Sequence, residues 1–263
     1  RARARQRPQR IVLFEGEDLL RKSEAEMRRI RGKKLAIILQ DPMTSLNPVY
    51  SVGEQIAEVI RLHKGFKGKT VWDNVIATLK RVNIPAAESR VGAYPHQMSG
   101  GMRQRVSGAI AISCDPSVII ADEPTTSLDV TIQAQYLRLL KQIQQESRIG
   151  IIFITHDFGI VARMCDRVAV MYAGQIVESA GTRELFNQPT HPYTVALLRS
   201  MPSMDQTVDR LISIEGQPPS LLNLAPGCRF APRCAYAEAR CGKEPESVWI
   251  NNSHSVRCWR VAG

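Results

Sequence analysis

No run of apolar residues in this chain approaches the ~20 needed to cross a bilayer. The longest, Leu35–Leu39, Val118–Ala121, Ile149–Ile154 and Val168–Ala173, have strand length, so any membrane contact is expected to be peripheral. The chain does not start with methionine and lacks the charged-then-apolar opening of a secretory signal; an incomplete N-terminus is the expectation. No two cysteines are spaced Cys-x-x-Cys, the usual knuckle of structural zinc. Gly-x-x-x-x-Gly-Lys-[Ser/Thr], the loop whose amides and lysine cradle nucleotide phosphates, is absent as well. A tempting stretch, Gly65-Phe66-Lys67-Gly68-Lys69-Thr70, would put its first glycine at His63 and follows an amphipathic pattern instead of a buried strand. It is expected to be a solvated helix connection.

What is present fits a folded globular chain. Of 263 residues, 44% are hydrophobic and 23% charged, enough for one full core and a smaller unit. A net charge of +10 would suit nucleic acid or an anionic surface, but the excess is uneven. It gathers in Arg1, Arg3, Arg5, Arg7 and Arg10 and between Arg28 and Lys34, where a solvated N-terminal region explains it. Basic residues are not interleaved with aromatics, as a nucleic-acid surface would require. Cys114 and Cys165 stand alone, whereas Cys228, Cys234, Cys241 and Cys258 crowd the end of the chain as a local site.

From Arg10 to about Tyr193, short apolar strands alternate with helical periodicity, which predicts an α/β domain with a mainly parallel sheet. Strands are expected at 11–14, 35–39, 118–121, 149–154, 168–172 and 175–178. Glu26 stands at capping-box spacing from Ser23, predicting a short helix there. Helical spacing at 51–63 and 70–82 predicts an all-helical insertion reaching about Pro116, and another helix is expected over 131–146. Beyond Met201 the chain turns rich in Pro, Gly and Cys, which marks a small irregular second unit.

Two stretches carry chemistry. In Val118-Ile119-Ile120-Ala121-Asp122-Glu123-Pro124 an apolar strand ends in two carboxylates, at the end of a parallel strand where ligands of open α/β sheets bind. Successive side chains on a strand point to opposite sides, so the two acids have separate tasks: one to hold Mg²⁺, the other to polarise a water beside a phosphate. In Ser99-Gly100-Gly101-Met102-Arg103-Gln104 two glycines open an apolar helix, letting backbone N–H groups, the Ser99 hydroxyl and the helix dipole meet an anion.

Ser99–Gln104 resembles the signature motif of ABC ATPases, and Ile120–Pro124 resembles their Walker B strand. Gln40 matches the Q-loop glutamine, Ser127-Leu128-Asp129 the D-loop, and His156 the switch histidine, all in family order. Asp129 would otherwise simply cap the next helix. Asp41–Pro48, His191-Pro192-Tyr193-Thr194 and Gly216-Gln217-Pro218-Pro219 resemble the oligopeptide/dipeptide/nickel importer branch; Met102, where the family usually has Gln, is consistent with it. The resemblance implies a P-loop-type α/β ATPase over residues 1–200, with a helical subdomain over about 41–115, and a cysteine-bearing extension over 201–263. It implies that Glu123 is the general base, that Asp122 and Gln40 meet Mg²⁺, that His156 senses the γ-phosphate, and that Ser99, Gly100, Gly101 and Asp129 act at a dimer interface. ATP is then the substrate. The implied partners are a second ATPase subunit, identical or related, permease subunits and, indirectly, an external solute-binding protein, at the cytoplasmic face of the inner membrane.

The missing phosphate loop makes these residues a truncated member by expectation, with little ATP binding or hydrolysis alone. The four clustered cysteines suffice for a [4Fe–4S] cluster, whose ligand spacings vary widely, with zinc or reduced thiols as alternatives. Two other classes compete with the importer: a soluble ATPase acting on nucleic acid, and a catalytically silent Fe–S or interaction module.

Overall fold

The computed structural model of the protein describes residues 11–41, 45–201, 213–222 and 224–261. The five N-terminal arginines, residues 42–44 of the Asp41–Pro48 stretch and residues 202–212, beside the expected boundary at 200, lie outside them. By packing, the chain divides between His156 and Asp157 into two units.

In the first unit, β1 (Leu13–Phe14) and β2 (Glu17–Asp18) form a short hairpin across Glu15 and Gly16, both at positive φ. Helix α1 (Glu24–Ile30) starts in the capping box that its spacing predicts: the Ser23 hydroxyl accepts from Glu26 N–H, and Ser23 N–H donates to the Glu26 carboxylate. Strands β3 (Leu35–Ile38), β4 (Val118–Asp122) and β5 (Gly150–Ile154) lie in that order in a parallel sheet, with Ile37, Ile120 and Ile152 in register. Alternation puts Ala36, Ile38, Ile119 and Ala121 in the core and leaves Ile37, Ile152 and Ile154 about half exposed on the other face.

Between β3 and β4 the chain is helical, as the periodicity predicts: α2 (Val52–Lys64), α3 (Lys69–Arg81), the single turn α4 (Ala87–Arg90) and α5 (Gly100–Ile112). Ile56 and Ile60 of α2, Val75 and Leu79 of α3, and Val106 and Ala109 of α5 are fully buried. Spacings of three and four residues put each pair on one helix face, which makes this a packed layer. Gly65, in the left-handed region at φ 67°, ends α2, and Gly68 precedes α3, so Gly65–Thr70 is a helix connection and not a phosphate loop. Helix α6 (Val130–Ser147) buries Tyr136, Leu140 and Ile143.

The second unit contains α7 (Phe158–Met164), β6 (Arg167–Tyr172), β7 (Gln175–Gly181), α8 (Thr182–Asn187), α9 (Pro192–Arg199), β8 (Val248–Trp249) and β9 (Ser255–Val256). Its strands do not continue a parallel sheet, as their alternation with helices suggests. They form a separate antiparallel sheet in the order β6-β7-β9-β8. The reason is local: β6 and β7 are joined through Ala173 and Gly174, both at positive φ, and so short a turn can join only antiparallel neighbours. The tail strands β8 and β9 belong to this sheet, so the packing division falls at 156 and not near 200. Phe230 from the tail completes the core of Val170, Tyr172, Val177, Ala180 and Leu185, meeting Tyr172 edge-on at 5.2 Å.

Candidate functional site

Glu123 stands one residue beyond β4 in the left-handed region at φ 42°, a conformation that costs a non-glycine residue about 1 kcal/mol. Its own N–H donates to the Ile154 carbonyl at the end of β5, 2.8 Å away, which holds the turn beside that strand. Its carboxylate gathers partners from three places. Gln40 Nε2, just after β3, donates to Oε2 at 3.0 Å; Thr126 Oγ1 donates to the same oxygen at 2.9 Å; and His156 Nδ1, just after β5, lies 2.9 Å from Oε1. The His156 bond, followed by that of Thr126, holds the Glu123 carboxyl below its ordinary range, so it is ionised at neutral pH. Glu123 is 23% exposed and His156 74% exposed, so the group opens to solvent. Asp122 ends β4 half-buried, paired in register with Ile154. The structure therefore brings together Gln40, Glu123 and His156, with Asp122 adjacent, although they are scattered over more than a hundred residues of sequence. Thr126 escaped the sequence reading; its spacing of three from Glu123, on the turn that leaves the strand, was the available signal.

A second cleft, of about 520 Å³, is lined by Ser99, Gly100, Gly101, Met102, Ser127, Leu128 and Asp129. Ser99 caps α5, its hydroxyl accepting from Met102 N–H at 3.3 Å, and Asp129 caps α6, accepting from Ile132 N–H at 2.9 Å. The two glycines differ. A Cβ on Gly101 would come within 2.7 Å of Ile132 Cγ2 on α6, so packing demands that glycine. Nothing lies within 4 Å of a Cβ position on Gly100, so that backbone faces open space where a ligand could approach. Arg105, which the sequence reading passed over, donates to the Val82 and Asn83 carbonyls at the end of α3 and to Gln135 of α6, tying the cleft's walls together.

In the second unit, Cys228, Cys234, Cys241 and Cys258 line one small pocket with His191, Pro192 and Phe230. All are free thiols, and burial pushes Cys228, Cys234 and Cys258 above the ordinary thiol range. Among the described residues, no set of three or more His, Cys, Asp or Glu side chains is arranged to hold one metal ion. Gly227, at φ 98°, runs against the chain at 241–242, where a Cβ would lie 2.5 Å from the Cys241 carbonyl oxygen; the Cys228 N–H donates to that same oxygen. His191 caps α9 through Nδ1, which accepts from Tyr193 N–H at 3.0 Å, and burial lowers its pKa to about 4.

Two family models match the chain: "ABC transporter" over residues 4–126 and "Oligopeptide/dipeptide transporter, C-terminal region" over 177–241. The Oligopeptide transport ATP-binding protein OppD of Haemophilus influenzae is 46% identical over 251 residues, 95% of this chain and 78% of that protein. The Dipeptide transport ATP-binding protein DppD of Bacillus subtilis is 48% identical, covering 94% and 74%, and a putative peptide import ATP-binding protein of Brucella ovis is 49% identical, covering 92% and 74%. Among solved structures, the dimeric bacterial ABC transporter cassette MJ0796 matches with a TM-score of 0.57 at 26% identity, covering 65% of this chain and 72% of that one. Clostridium perfringens cbiO1, part of the ABC transporter complex cbiONQ, matches with 0.57 at 29%, covering 67% of each.

Proposed function

This chain belongs to the ATP-binding proteins of ABC transporters, in the branch with the oligopeptide/dipeptide transporter C-terminal region, and from that membership we propose how its residues divide the work. It is an ATPase subunit of a peptide importer. Residues 1–200 form the ATPase part, with a helical subdomain over about 41–115, and residues 201–263 form the extension.

The observation that carries the reading is the Glu123 carboxylate held by Gln40, Thr126 and His156. Ionised, it can only accept, so it draws a proton from a water aimed at a γ-phosphate while His156 and Gln40 orient the participants. Asp122 and the Gln40 carbonyl oxygen would hold Mg²⁺. The donors fit: both are hard oxygens, and Gln40 keeps its Oε1 free because Nε2 serves Glu123. The ion, when bound, supplies positive charge against the phosphates. Ser99, Gly100 and Gly101 present their donors to the nucleotide of a second ATPase subunit, identical or related, with Asp129 beside that interface. Permease subunits and, through them, an external solute-binding protein complete the assembly at the cytoplasmic face of the inner membrane. Among the described residues no helix is long and apolar enough to cross a membrane.

The phosphate-cradling loop is not within these 263 residues. Titration of a polypeptide of this sequence with MgATP is expected to give a dissociation constant weaker than about 1 mM, less than about 4 kcal/mol of binding. Micromolar affinity would show that the residues of this stretch suffice to hold the phosphates and would refute the reading that they cannot do so alone.

The four thiols of the extension are read as the ligands of a [4Fe–4S] cluster. What supports this reading is that the four cysteines line one apolar pocket and match the ligand count of a cubane. When bound, the cluster supplies a covalent cross-link among segments with little core of their own.

A further inference from the structure

Glu178 lies in the middle of β7 with its side chain fully buried and takes no part in the ATP chemistry. A buried carboxylate costs several kcal/mol unless its oxygens are satisfied, so what satisfies it indicates why it is there. Oε1 accepts from Thr190 N–H at 2.7 Å and meets His254 Nε2 at 2.8 Å; Oε2 accepts from His191 N–H at 3.0 Å. His254, 3% exposed, turns its other nitrogen to Glu184 Oε1 at 3.2 Å, and Glu184 also accepts from Asn251 and Ser253.

These partners come from two remote stretches. Thr190 and His191 lead into Pro192 and α9; His254 leads into β9 and then Cys258, with Arg257 N–H donating to the Val177 carbonyl on the way. His191, Pro192 and Cys258 are all walls of the thiol pocket. One buried carboxylate therefore sets the place of two of the pocket's bordering segments.

We infer that Glu178 and His254 form a buried clasp that assembles the four-thiol pocket, and that they act as positioning residues for whatever the thiols hold. The His191-Pro192-Tyr193-Thr194 motif thereby gains a physical role: its His191 N–H, together with that of Thr190 just before it, is the clasp's second grip. The clasp stands on its own geometry; only its consequence for a bound cluster rests on the cluster reading above.

The test uses the full chain, purified anaerobically, with Glu178→Gln, His254→Phe and the milder Glu184→Gln. Glutamine at 178 must turn an NH₂ toward a donor, so it breaks the clasp without changing its shape. Labelling by a thiol reagent, resolved by cysteine, is expected to speed up about tenfold or more at Cys258 and Cys228 in the first two variants, and about twofold to threefold in Glu184→Gln. Cys114, in the other unit, and Cys165 serve as internal references and should keep their rates. Iron and sulfide content should fall in parallel with the protection of Cys258. Unchanged labelling at Cys258 in both strong variants overturns the clasp. So does a rise shared equally by Cys165 in every variant, Glu184→Gln included, because that reports loss of the whole unit. Selective labelling in a chain whose unsubstituted form holds no iron or sulfide supports the clasp and rejects the cluster.

Discussion

Glu123 meets His156 at 2.9 Å with the imidazole 74% exposed, whereas Glu178 meets His254 at 2.8 Å with the two side chains 0% and 3% exposed. The contact is the same; the surroundings differ. Around Glu123 the partners are side chains on separate loops, so each can exchange its bond for one to a ligand at little expense in water. Around Glu178 two of the three partners are backbone N–H groups with nowhere else to turn. A polar pair at the surface can rearrange during a reaction, and one enclosed in a core resists rearrangement because a lost partner leaves a desolvated group behind.

The widest separation between the pairs is expected in glutamate-to-glutamine exchanges. Glu123→Gln should lower the importer's ATP turnover by about 10²- to 10⁴-fold, the span of general-base catalysis, while the thermal unfolding of the chain stays where it was. Turnover within a few-fold of the unsubstituted protein would remove Glu123 from the chemistry. Glu178→Gln should do the reverse: a loss of about 3 kcal/mol in denaturant unfolding, followed by the fluorescence of Trp249 and Trp259. An unfolding midpoint unchanged by Glu178→Gln would mean that burial does not distinguish the pairs.

A smaller effect should appear with pH. His191 has a folded-state pKa of about 4, below its unfolded value of about 6.5, so the folded form keeps it neutral. Its contribution is complete above about pH 6.5 and fades as pH falls toward 4, where up to about 3 kcal/mol is gone. Unfolding of the second unit at pH 7.5, 5.5 and 4.5 checks this, and His191→Gln should flatten the slope over that window.

How much was legible in the sequence also differs between the regions. Buried strands ending in polar residues, glycines opening a helix and the Ser23–Glu26 spacing are local signals, and β3 to β5, α2, α3, α5, α6, Asp122, Glu123 and Ser99 to Gly101 follow from them, whereas Gln40, Asp129 and His156 came only through the family resemblance. The left-handed φ of Glu123 and the role of Thr126 depend on the turn that links β4 to its neighbour, which period-2 alternation does not encode. In the second unit β6 and β7 were readable, but the short tail strands β8 and β9 and the pairing of the sheet were not. Pairing Glu178 with Val256 requires knowing that two residues of strand lie near the end of an irregular tail. His254 reads in sequence as one more polar residue among Asn, Ser and Arg; only the fold puts it against a carboxylate.

Glu178 and His254 are 76 residues apart in sequence. On a ribosome, where domains fold as they emerge, every strand of the first unit is available before the second unit begins. By contrast, β7 is synthesised with one edge open and must wait for Ser255 and Val256 to fill it. Such non-local pairing is slow, and until it forms an open edge can recruit the wrong strand. The thiol pocket is therefore among the last features of this protein to mature, and its cysteines stay accessible to oxidants, metals or delivery proteins until the tail is in place.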